Sequence, residues 1–169
     1  MNRIAKFSKV SYEQFKKDWL ETFDYYNEWD EDAIEERIRY IYESIKLPQR
    51  ATTGSAGYDF FCPAGMNIPI NKTIKIPTGI RCEIEDGWVL QCFPRSSYGF
   101  KYGIRLSNTV GIIDGDYFYS DNEGHIFAKI TNDSKEEKVL SVEKGAGFMQ
   151  GIFLEYGITV DDEADGVRN

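Results

Sequence analysis

Hydrophobic residues recur along this chain with two different periods, and the change from one to the other falls at Pro48. Before it the spacing is helical. Tyr12, Phe15, Trp19 and Phe23 repeat every three or four residues behind Ser11, and Ser11 with Gln14 forms a capping box. Asp30 and its acidic neighbours then cap a second helix, on which Ile34, Ile38, Ile41 and Ile45 fall at i, i+4, i+7 and i+11. Each helix carries one apolar stripe, so each is predicted to pack on the body of the protein. The competing expectation is that residues 11–45 engage a protein partner. Ahead of them "RIAKFSKV" reads as a short strand.

Beyond Pro48 the runs shorten and alternate. "GYDFFC", "TIKIPTGIRCEI", "WVLQCF", "LSNTVGII", "HIFAKIT", "KVLSV" and "FMQGIFLEYGITV" are separated by turn-forming stretches such as "PAG", "EDG", "DGD" and "EKGAG". Many short strands punctuated in this way predict a sandwich, jelly roll or barrel, and no long helical pattern interrupts them to make a parallel sheet. The tail after Ile158, "TVDDEADGVRN", is acidic and turn-like and offers nothing to a core. With 169 residues and no internal repeat, residues 1–169 are expected to form a single domain.

Composition narrows the classes further. Aromatic residues at 15% and hydrophobic residues at 41% fit a β-rich globular protein and not a disordered one. The net charge of -8 is concentrated: residues 11–36 hold ten acids against Lys16 and Lys17, leaving the remainder close to neutral. Such a segment repels a phosphate backbone, so direct nucleic-acid binding is not expected. The sequence has no apolar run long enough for a membrane span and no signal-peptide core at its start, which predicts a cytoplasmic protein with no membrane partner. Cys62, Cys82 and Cys92 have neither disulfide nor metal spacing and read as reduced, semi-buried thiols.

Three stretches carry candidate chemistry. In "NTVGIIDGDYFYSD", residues 108–121, an apolar run delivers Asp114 onto a glycine-bearing turn. A calcium loop counted from Asp114 would need glycine at the sixth position and Glu at the twelfth, where Tyr119 and His125 stand, so that reading fails. A serine triad would have to use His125, and no nucleophile elbow is present; His125 reads instead as a surface residue at a strand end. Asp114 is left either as a plain turn residue or as a base that orients and deprotonates a water. In "FPRSSYGFK", residues 93–101, Arg95 offers a planar fork and Ser96 and Ser97 add hydroxyls and backbone N–H groups, an anion cradle or an ordinary loop. In "GSAGYDFF", residues 54–61, Asp59 follows small residues that allow close backbone approach.

Taken together and in order, "AGYDFF", "PRSSYGFK", "NTVGIIDGDY" and "GAGFMQGIF" resemble four of the five motifs of the trimeric dUTPase family, over roughly residues 46–169. The resemblance implies a distorted jelly-roll β-barrel with a small N-terminal helical segment added. It also implies a homotrimer with sites between subunits, and Mg²⁺-dependent hydrolysis of dUTP to dUMP and pyrophosphate. That reaction limits uracil in DNA and supplies dUMP for thymidylate synthesis. Matched position by position, Asp114 is the general base, and Tyr117 is the ring that packs on the deoxyribose and excludes a 2′-hydroxyl. Asn108 and the Gly111 backbone read the uracil edge, with Val110 and Ile112 as walls. Arg95, Ser96, Ser97 and Gln150 hold the phosphates, and Asp59 orders the metal's water shell. The alternatives are a dUTPase-like regulatory module that binds a protein through residues 11–45, and, within the same fold, a dCTP deaminase.

This chain departs from the family pattern at several points. Ser97 and Gly147 stand where the family usually has glycine and arginine, and "YFYSDNEG" lengthens the stretch after Tyr117. Only "GVRN" of the fifth motif is reached, with Arg168 as its γ-phosphate arginine, and a glycine-rich arm is expected to follow Asn169.

Overall fold

The computed structural model describes residues 2–24 and 30–168; residues 25–29, with Glu28 of the acidic stretch, lie outside the described part, as do Met1 and Asn169. Side-chain alternation builds the strands. Along β5 (Ile80–Ile84), Ile80, Cys82 and Ile84 turn inward while Glu83 faces solvent. Along β9 (Phe127–Asn132) the inward set is Ala128, Ile130 and Asn132. The Asn132 side chain is satisfied there, donating to Ile68 O and Lys138 O at 2.8 Å each and accepting from Ser134 N.

Among the described residues eleven strands pair antiparallel in four sheets. The largest has the order β2 (Tyr58–Phe61), β11 (Gly147–Glu155), β6 (Trp88–Pro94), β8 (Gly111–Ile113). A second joins β4 (Thr73–Pro77), β9 and β7 (Ile104–Leu106), and the pairs β1 (Ala5–Lys9) with β5 and β10 (Leu140–Val142) with β3 (Met66–Ile68) complete the set. "RIAKFSKV" thus does form a strand, and it covers β5 along its whole length. The run "TIKIPTGIRCEI" divides into two strands at Thr78 and Gly79, and β11 ends before "YGITV".

Both predicted helices form. In α1 (Tyr12–Thr22) the Ser11 hydroxyl accepts from Gln14 N at 3.1 Å, and in α2 (Glu31–Glu43) Asp30 accepts from Ala33 N. The capping box is only half local, because Gln14 reaches forward to Asp18 while the Ser11 N–H donates to Glu123 Oε2 at 2.7 Å. Glu35 ties the two helices together. It accepts from Lys16, Tyr12 and Arg39, and those bonds, Lys16 first, hold its carboxyl down to about 2.

The apolar stripes are buried as expected. Phe15, Trp19, Ile38 and Ile41 belong to the same hydrophobic cluster as Phe60, Leu90 and Phe148 of the sheets. Gly79 is where the helices meet the sheet. Its φ is +73°, a conformation that favours glycine, and a Cβ there would press on Ile45 Cδ1 and stand 3.3 Å from Phe15 Cδ2, so a side chain would be strained and would have to push both aside.

Two expectations are corrected. "FPRSSYGFK" is not a loop, because Ser96–Tyr102 form a short helix, α3, directly after β6. His125 is not on the surface; it is fully buried, with Nε2 accepting from Gly79 N at 2.8 Å and Nδ1 2.5 Å from Asp18 Oδ2. Burial pushes the imidazole below its usual range against the opposite pull of Asp18. The backbone N–H aimed at Nε2 fixes the neutral tautomer that carries its proton on Nδ1. The three cysteines are free and fully buried, and burial pushes each thiol up to about 12, which leaves them inert. Among the described residues no helix is long and apolar enough to cross a membrane.

Candidate active site

The residues singled out from the sequence gather in two places. Past the end of β6, Arg95 caps α3; its Nη1 donates to Gly147 O at 3.2 Å and its Nε stands 4.0 Å from Asp59 Oδ1. Gln150 is the register partner of Asp59 across β11 and β2, so the two side chains share a face. A bulge between Gly147 and Met149 bends β11 beside Arg95. A Cβ on Gly147 would lie 3.3 Å from Arg95 Nη1 and 3.4 Å from Asp59 Cβ; the Asp59 and Arg95 side chains fill the space that a larger residue at 147 would need. Ser96 and Ser97 are exposed in the first turn of α3, where N–H groups have no intrahelical acceptor. Arg95, two serines, an amide and a carboxylate form a polar, partly open surface suited to phosphate oxygens.

The second group lies on β8 and the turn after it. Residues 107–110 turn tightly, with Thr109 at φ +67° and Val110 N donating to Asn108 O at 2.7 Å. Asn108 and Ile112 are exposed, whereas Gly111 is buried opposite Cys92. Asp114 leaves the strand extended, at φ -79° and ψ 158°, and its carbonyl accepts Tyr117 N at 3.2 Å, opening a 3₁₀ turn over Gly115–Tyr119. The carboxylate is half-exposed and Tyr117 stands beside it with its tip fixed: Oη donates to His125 O at 2.7 Å and accepts from Asn122 Nδ2 at 2.9 Å.

Arg168 joins this second group and not the phosphate side. Its Nη2 lies 2.7 Å from Asp114 Oδ2 and its Nε 3.1 Å from Asp116 Oδ1, with the guanidinium 5.7 Å from the Tyr117 ring centroid. The two groups stand at opposite ends of β6. Ile113, just before Asp114, pairs with Leu90, and Arg95 lies five residues further along, about 17 Å at 3.3 Å per residue.

Comparison with known proteins accounts for this arrangement. The dUTPase family model matches residues 43–165. The deoxyuridine 5'-triphosphate nucleotidohydrolase of Lactococcus lactis is 38% identical over 126 residues, 74% of this chain and 83% of the relative. That of Dictyoglomus turgidum is 32% identical over 132 residues, 76% of this chain and 85% of the relative. The crystal structure of dUTPase from Streptococcus mutans superposes with a TM-score of 0.61 at 37% identity, over 69% of this chain and 90% of that chain. A mutant dUTPase from phage phi11 of S. aureus, described with a structural Mg(II) ion, gives 0.59 at 16% identity over 73% of this chain and 92% of that chain, a likeness of fold alone. The chain belongs to the dUTPase family, and its mainly β architecture is the jelly roll of that family. The family acts on dUTP, depends in general on divalent metal and assembles into oligomers.

Reasoning from sequence missed the residues that support the second group: Asp18, Asn122, Glu123 and His125. The one available signal was positional, since Asn122 and Glu123 fall in "YFYSDNEG", the stretch read as longer than the usual motif.

Proposed function

We propose that residues 1–169 act as one unit that hydrolyses dUTP to dUMP and pyrophosphate, with Asp114 as the base, in a cytoplasmic homotrimer whose sites each draw on more than one copy of the chain. The observation that carries this reading is the separation along β6. A base must stand within hydrogen-bond reach of the water it activates, and about 17 Å of strand separates Asp114 from the cradle that would hold the phosphates. A second copy brings the two halves together. The tail supports such sharing, because Tyr156, Ile158 and Val160 stand exposed in the segment that follows β11, apolar surface that another copy could cover.

In the assembled site Asn108 and the Gly111 backbone read the uracil edge between Val110 and Ile112, and the Tyr117 ring packs on the deoxyribose. Arg95, Ser96, Ser97 and Gln150 clamp the phosphates in line with the water. Asp114 takes the water's proton as its oxygen bonds to the α-phosphorus; the bond to the α,β-bridging oxygen breaks, and pyrophosphate leaves. Arg168 reaches a γ-phosphate only by leaving Asp114, which also frees the base. Asp59 and Gln150 present a carboxylate and an amide on one face, hard oxygen donors that suit Mg²⁺ bound through its own waters and the substrate. Held there, Mg²⁺ would supply charge neutralisation to the phosphate oxygens.

Mixing two variants tests the reading. Asp114→Asn alone is expected to bind dUTP but to turn over about a hundredfold or more slowly, and Arg95→Ala alone to be weak. Denatured together and reassembled, they should regain activity, because some sites then receive Asp114 from one copy and Arg95 from another. A mixture no more active than its components would place both groups in one chain.

A further inference from the structure

Helix α1, which lies outside the family match, is bonded to the stretch after Tyr117, which lies inside it. Residues 12–22 lie outside the family match, which begins at residue 43. The Glu123 carboxylate takes both donors of Ser11, the N–H at 2.7 Å and the hydroxyl at 2.6 Å, and so sits at the positive end of α1. Burial alone would raise this carboxyl, but the two Ser11 bonds together with nearby positive charge such as Arg81 hold Glu123 below the usual range, in its charged form. Two turns further into α1, Asp18 meets His125.

Within the stretch several bonds lead back to Tyr117. His125 O and Asn122 Nδ2 hold its hydroxyl, while Ser120 Oγ lies 2.7 Å from Tyr117 O and 2.9 Å from Asn122 Oδ1. Arg81 fastens the next residue, donating to Phe118 O at 2.6 Å with its guanidinium 3.6 Å from the Phe118 ring centroid. Glu123 itself adopts φ +59°, a left-handed conformation unfavourable for a side-chain-bearing residue, and it keeps that conformation with both anchors to Ser11 in place.

We propose that Glu123 is a positioning residue: through Ser11 it makes helix α1 the brace that fixes the Tyr117 ring, and so sets how strictly the enzyme prefers a deoxyribonucleotide over a ribonucleotide. The inference rests on Tyr117 being the ring that faces the sugar. A 2′-hydroxyl is a small addition that a loose apolar wall rejects poorly, so rejection depends on how rigidly the wall is held.

The test is the ratio of kcat/KM for dUTP to that for UTP, measured with the melting temperature. Glu123→Ala is expected to lower the ratio about tenfold, chiefly through improved use of UTP. Ser11→Ala should do the same and Ser11→Thr, which keeps the hydroxyl and the cap, should restore it; this pair decides the matter if Glu123→Ala does not fold. A lower melting temperature with an unchanged ratio would make the brace purely structural and overturn the proposal. Tyr117→Ala separates the two claims. If it lowers the ratio while the Glu123 and Ser11 variants do not, only the brace falls; if it leaves the ratio unchanged, the sugar-facing role of Tyr117 falls and the brace with it.

Discussion

The two halves of the proposed active site are built to different standards of rigidity. The nucleoside half, around Asp114 and Tyr117, stands on α1, β8 and the 3₁₀ turn, with the Tyr117 tip bonded twice and the stretch behind it anchored at Ser11, Asp18 and Gly79. The phosphate half has exposed serines on a seven-residue helix that lacks a side-chain cap, and an Arg95 that is nearly half exposed. On the proposed roles, the difference follows from what each half must recognise. A uracil and a missing hydroxyl are read by shape, which requires walls in place beforehand. A triphosphate brings its own charge and its own metal, and can order flexible donors as it binds.

The largest effect is expected from breaking the rigid half at its root. Gly79→Ala should cost about 2–4 kcal/mol in urea unfolding, from a side chain forced into the left-handed region and against Ile45; a loss under about 0.5 kcal/mol would show that the helices are not seated there. Next comes the open half. Arg95→Ala removes charge-assisted bonds of about 1.5–3 kcal/mol and should raise KM for dUTP about ten- to hundredfold while moving the melting temperature little, because its surroundings are solvated. A large fall in melting temperature would make the cradle as structural as the brace.

The smallest effect concerns protons. Unfolded His125 titrates near 6.5 and the folded ring lower, so between those values the unfolded chain binds more protons. Stability supplied by the neutral ring is whole above about pH 6.5 and is lost below it, by at most about 1.4 kcal/mol per pH unit. His125 is the chain's single histidine, so its NMR titration is unambiguous. A midpoint at or above 6.5 would mean that the buried ring is charged and that Asp18, not Gly79, sets its state.

Much of this was legible in the sequence where the signal is local. Ser11 and Asp30 announce their helices because a cap bonds within its own turn, and alternation marks most strands. The helix α3 was not legible: seven residues holding Gly99 and following Pro94 give no full period to recognise. His125 was misread for a sharper reason. By strand parity it falls with Phe127 and Lys129, on the opposite side from Ile126, Ala128 and Ile130, and that side is ordinarily wet. Here Asp18 and Phe15 of α1 lie against it, which only the tertiary fold reveals. Glu123 was invisible likewise, since its partner Ser11 is 112 residues away. The site residues themselves were legible as motifs, but the division of Asp114 from Arg95 along β6 appears only in the pairing register.

The seating of α1 on Gly79 and Glu123 also bears on how such a chain can change over generations. A deletion back to residue 43, where the family match begins, would leave Gly79 without Ile45's neighbours, Glu123 charged with no donor from Ser11, and a hole where Phe15, Trp19, Ile38 and Ile41 had been. Removing α1 is therefore tolerable only if the stretch after Tyr117 is rewritten at the same time. The two fold as one part.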